Sequence, residues 1–102
     1  MENYFVLEGK RKLIIRKEGE YYILFDPIDL DFYKINNTGA EILYLISLNK
    51  SFIDMINYFM EKYNLEQNYV NDFVKNYLNS FPLKHIIMNN LINLGIYEAI
   101  SA

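Results

Sequence analysis

An α+β fold is predicted, strands first and helices after, and three observations carry it. Hydrophobic residues recur at a period of two up to Asn36 and at a helical period beyond it. Turn chemistry at Glu18-Gly19 and Asp26-Pro27 cuts the first third into strand-length pieces. Polar residues suited to helix caps, Asn36-Asn37-Thr38 and Ser51, stand where the helical period begins and resumes. With 102 residues, 52% of them hydrophobic, the chain has room for one domain and one core.

The first strand is Lys12-Leu-Ile-Ile-Arg-Lys17, β-branched and flanked by charge. Lys17-Glu18-Gly19-Glu20 joins it as a hairpin to the second, Glu20-Tyr-Tyr-Ile-Leu-Phe25. Asp26-Pro27-Ile28-Asp29 ends that strand, because proline cannot donate to a ladder and aspartate favours turns. The third strand is Asp31-Phe-Tyr-Lys-Ile35. Its side chains alternate, so Tyr33 and Ile35 share one face and Phe32 and Lys34 the other.

A first helix follows from about 38 to 48, with Ile42, Leu45 and Ile46 inward, and Leu48-Asn49-Lys50 breaks it. Ser51-Phe-Ile-Asp54 has the form of a capping box with aspartate as the acid. It opens a second helix whose inner side is Ile53, Ile56, Phe59, Met60 and Tyr63. After Asn64-Leu65, a third helix runs from Glu66 to about Phe81. Val70, Val74, Tyr77 and Phe81 form one stripe on it, flanked by Leu78 and by Tyr69 and Phe73. Pro82 ends or kinks that helix. Ile86, Ile87, Leu91 and Leu94 mark a fourth helix that stops at Gly95, and Ile96 to Ile100 reads as a short last strand. Three strands and then three helices make a winged helix-turn-helix-like layout. The three-stranded antiparallel sheet and the helices occupy about 12–81, and an extra C-terminal helix lies in an extension at 83–100.

Several functions are set aside by composition. The absence of cysteine removes thiolate metal sites, disulfides and cysteine nucleophiles. The lone His85 lacks the companions of a metal or acid–base site and reads as a surface or hydrogen-bond-satisfied histidine. Asp26, Asp29 and Asp31 could meet a cation, but the glycine and spacing of a calcium loop are missing, and a solvated turn is the better reading. There is neither a phosphate loop nor a nucleophile elbow, so no catalytic residue, metal or cofactor is expected. The amino terminus lacks a secretory pattern, and no apolar run approaches the roughly 20 residues of a membrane span, so a cytoplasmic protein without a membrane partner is expected. A net charge of -3 weighs against nucleic acid.

Tyr33-Lys-Ile-Asn-Asn-Thr-Gly-Ala-Glu-Ile-Leu43 resembles the strand-to-helix junction of PqqD-like peptide chaperones, the recognition elements for precursors of ribosomally made, later modified peptides. Ser51-Phe-Ile-Asp-Met-Ile56 is similar to the family's second-helix opening, and Tyr63 to the aromatic that closes that helix. Val70, Val74, Tyr77, Leu78 and Phe81 match the spacing of its third helix. Ile15-Arg-Lys-Glu-Gly19 with Ile23-Leu-Phe-Asp26 resembles a variant associated with radical S-adenosylmethionine peptide maturases. The likeness spans about 12–81. It departs at Phe73, where the family is often acidic, and at Pro82, where it reaches Gly-Leu.

The resemblance implies a domain without chemistry of its own. A precursor's leader would add as an antiparallel strand beside residues 31–36, with side chains lodged against the third helix. A radical S-adenosylmethionine enzyme would then modify the peptide, in trans, or in cis if the chain is cut from a longer maturase. The residues implied are Asp31, Phe32, Tyr33, Lys34, Ile35, Tyr69, Phe73, Asn76 and Tyr77. For Tyr69 and Phe73, packing on the fourth helix or on Tyr4-Phe-Val-Leu7 is an equal alternative, and for Val70, Val74 and Tyr77 plain core is the better reading. The competitor from another class is a winged helix-turn-helix DNA-binding regulator. Its recognition helix should be basic, whereas Glu66 to Phe81 holds Lys75 against Glu66 and Asp72.

Overall fold

The computed structural model describes residues 3–6, by their backbone, and 12–101. The chain divides into two compact units, Met1–Leu48 and Asn49–Ala102.

The first unit is an antiparallel sheet with one helix. Its strands are β1 (Asn3–Val6), β2 (Lys12–Glu18), β3 (Tyr21–Asp26) and β4 (Asp31–Ile35), hydrogen-bonded in chain order. Three of these are the expected strands; β1 is additional. A run as short as Asn-Tyr-Phe-Val shows no alternation long enough to read, and only its pairing with Lys12–Ile15 makes it a strand. Glu18 pairs with Tyr21, leaving Gly19 and Glu20 as a two-residue loop, and the positive φ of 65° at Gly19 suits a primed hairpin turn.

Leu13, Ile15, Tyr22, Leu24 and Ile35 are buried and share one face of the sheet, since cross-strand partners point the same way. Helix α1 (Asn37–Ser47) packs on β1 and β3 and buries Ala40, Ile42, Leu43, Leu45 and Ile46. Asn36 is its N-cap, its side chain accepting from the Gly39 N–H at 2.8 Å. The break at 48–50 is made by Leu48 as C-cap and by Asn49, whose φ of 61° leaves the helical region.

The second unit is helical: α2 (Phe52–Tyr63), α3 (Gln67–Asn79), α4 (Met88–Asn93) and α5 (Ile96–Ser101). The capping box at Ser51 and Asp54 is formed in both directions. Left-handed Asn64 ends α2. The inner side of α2 differs from the expectation: Met55, Ile56 and Phe59 are buried, while Ile53 is 63% exposed and Tyr63 also faces water. At 100° per residue Ile53 lies well away from the centre of the buried arc, and Tyr63 sits on the helix's last turn, where cover runs out.

Two further corrections fall at the C-terminal end. The fourth helix is shorter than expected, because residues 82–86 form turns before α4 begins. The expected last strand is instead helix α5: Ile96 and Ile100 are buried one turn apart while Tyr97 and Glu98 are exposed. Gly95, with a φ of 72°, separates α4 from α5. Asn79 Nδ2 donates to the Ile100 carbonyl at 2.8 Å, tying α3 to α5. No helix among the described residues is long and apolar enough to cross a membrane.

Candidate peptide-binding edge

Strand β4 lies at the end of the strand order, so its outer side has no strand partner among the described residues. Which backbone groups that side offers follows from the hairpin. In a two-residue hairpin the closing pair, Glu18 and Tyr21, exchanges both its N–H and C=O bonds. Bonding direction alternates along an antiparallel strand, so Tyr22, Leu24 and Asp26 face β4. Their partners Ile35, Tyr33 and Asp31 face back. Phe32 and Lys34 therefore direct N–H and C=O away from the sheet.

The side chains of β4 alternate as expected. Ile35 is buried beside Tyr22, and half-buried Tyr33 lies opposite buried Leu24 on the same face. Phe32 and Lys34 are on the other face and exposed. Phe32 stacks on Phe25 at 4.5 Å, and the Lys34 ammonium sits 4.4 Å from the centre of the Tyr21 ring. Asp31 is exposed at the start of the strand, opposite Asp26.

Asp26, Asp29 and Asp31 do converge, with carboxylate oxygens within 4.8 Å of one another. The solvated-turn reading fits Asp29 and Asp31. Asp26 departs from it, being fully buried, with Oδ1 accepting from the Ile28 N–H at 3.1 Å and so bracing the loop.

The remaining candidate residues belong to the second unit, on α3. Val70, Val74 and Leu78 are its buried stripe. Phe73 is half-buried in edge-to-face contact with Phe59 of α2 at 5.2 Å and with Tyr69 at 5.6 Å. Packing on α2, which the sequence did not suggest, therefore accounts for part of its apolar character. Tyr69 is 59% exposed and Asn76 is exposed. The Tyr4–Leu7 alternative involves side chains that lie outside the described residues.

Tyr77 stacks on Phe81 at 5.8 Å, and its buried hydroxyl meets no hydrogen-bond partner among the described residues. Burial pushes its pKa up to about 12, because the phenolate would lose hydration without gaining a partner. His85 is exposed within the turns before α4.

No protein-family model, curated protein or solved structure matches this chain.

The outer face of the sheet escaped the sequence reading. Ile14, Ile23 and Phe25 line a shallow concavity there with Arg16, Glu18 and Phe32. The signal was present: Leu-Ile-Ile and Tyr-Tyr-Ile-Leu-Phe are apolar at both parities, which leaves hydrophobes on both faces whichever one is buried.

Proposed function

We propose that this protein binds an extended peptide by strand addition at the outer edge of β4, as a recognition domain without chemistry of its own. The observation that carries the reading is the open side of β4, where Phe32 and Lys34 direct their backbone groups away from the sheet. On the resemblance around Tyr33–Leu43, the peptide is the leader of a ribosomally made precursor. The enzyme that modifies it is then a radical S-adenosylmethionine maturase.

The test is fluorescence anisotropy of a labelled leader from a precursor encoded beside such a maturase. Binding in the sub-micromolar to low micromolar range, about -8 kcal/mol, is expected. Lys34→Pro should weaken it at least about tenfold, since proline removes an outward donor and leaves the β3–β4 bonds in place. Circular dichroism should show the variant folded. Equal affinity in a folded variant would move the site off β4, and no leader binding would remove the proposal. The resemblance also assigns α3 to binding, and Tyr69→Ala, at an exposed ring, reads that assignment separately.

Duplex DNA should not bind appreciably at physiological salt. Helix α3 offers Lys75 against Asp72, with Glu66 as its N-cap, on a chain of net charge -3. Sequence-specific, sub-micromolar binding in a mobility-shift assay would favour a regulator instead.

A further inference from the structure

The sheet face formed by Phe32, Lys34 and their neighbours is more apolar than the solvated side of an antiparallel sheet usually is. Cross-strand register sets its side chains in rows. Ile14, Phe25 and Phe32 form one row, and Arg16, Ile23 and Lys34 form the next. Each row ends at β4, whose open side has no strand partner among the described residues. Phe32, the end of the apolar row, is 66% exposed. Lys34, the end of the other row, is held on this face by the Tyr21 ring. Both are also the residues whose backbone groups point outward. A strand added to β4 would therefore place one side chain beside Phe32 and one beside Lys34, each at cross-strand pairing distance.

Resting on the strand-addition reading, we infer that the outer face selects the peptide, taking a segment with an acidic residue opposite Lys34 and an aromatic or large aliphatic residue opposite Phe32. In an antiparallel strand the residue facing Lys34 comes first, so the motif is acid, any residue, apolar. Charge complementarity supports the first position. Among the described strand residues of this face the acid is Glu18, which pairs with Arg16 at 3.4 Å, while the Lys34 ammonium lies over the Tyr21 ring. Continuity of the Ile14–Phe25–Phe32 row supports the second, because a further apolar member covers the exposed ring. A second copy of the chain complements the edge less well. Two β4 strands paired antiparallel about Tyr33 would set Lys34 opposite Phe32 and supply it no carboxylate.

The experiment uses three labelled nine-residue peptides and the full chain. The first is Thr-Val-Thr-Glu-Thr-Phe-Thr-Val-Thr; the second has Lys for Glu, and the third Ser for Phe. By anisotropy the first should bind about five- to tenfold tighter than either other, as expected for one favourable cross-strand pair exchanged for a repulsive or empty one. Lys34→Glu should reverse the order of the first two. Three equal affinities, all lost in Lys34→Pro, would keep strand addition and overturn selection by this face. Failure of all three to bind, with the precursor leader still bound at β4, would also overturn it. A wild-type dimer in sedimentation velocity that becomes monomeric in Lys34→Pro would assign the edge to a second copy and overturn it too.

Discussion

Replacing Phe59 by alanine should destabilise the chain by about 3–5 kcal/mol, read as a lower urea midpoint with an unchanged slope. Phe59 is fully buried and is the largest such side chain in the second unit. Its ring contacts Tyr58 at 5.1 Å, Tyr63 at 6.1 Å and Phe73 at 5.2 Å, so alanine removes a filled volume and three aromatic contacts at once. Of these partners only Phe73 lies outside α2. Much of the loss should therefore appear as weakened α2–α3 packing, and Phe59→Leu should cost clearly less. A loss is severe at this size, because small domains hold only about 5–15 kcal/mol in total. A change below about 1 kcal/mol would show that the ring does not fill the space between these helices.

Tyr77→Phe should act in the opposite direction. The hydroxyl is buried without a partner among the described residues, a condition that costs about 1–3 kcal/mol, so its removal should stabilise the chain at neutral pH. The sign of the pH effect follows from the raised pKa of about 12 against 10.0 unfolded. Between those values the unfolded chain has released the proton and the folded chain has kept it. The unfolded state then binds fewer protons, and stability falls as pH rises. The loss should be on the order of 2–3 kcal/mol across pH 10 to 12 and absent below pH 10. The chain has 10 tyrosines, so the informative quantity is the difference between wild type and Tyr77→Phe. Denaturation midpoints that fall in parallel over that window would show that Tyr77 titrates normally.

What could be read in the sequence was local. Gly19 marks the hairpin because it takes a left-handed φ without strain, and Asn36 and Ser51 mark helix starts because their side chains reach the free N–H groups of the next turn. The period change at Asn36 is local as well, and the strand at 31–35 with its Tyr33/Ile35 face followed from alternation alone. Where no local signal exists, the reading failed. Strand β1 is four residues that become a strand only through Ile15, Ile14, Leu13 and Lys12 opposite. The run Ile96–Ile100 is apolar and β-prone, and Ile96 and Ile100 sit one turn apart on the buried side of a helix.

The candidate site divides the same way. Alternation by itself set Phe32 and Lys34 on the face opposite Tyr33 and Ile35, and the absence of cysteine by itself removed thiolate chemistry from this sequence. That β4 lies at the end of the strand order, that its outward bonds belong to Phe32 and Lys34, and that Phe73 leans on Phe59 depend on register and packing. Those are relations between residues distant along the chain. Side-chain period and cap chemistry act over a few residues, so a single sequence displays them, whereas strand order and ring contacts exist only once the chain has closed on itself.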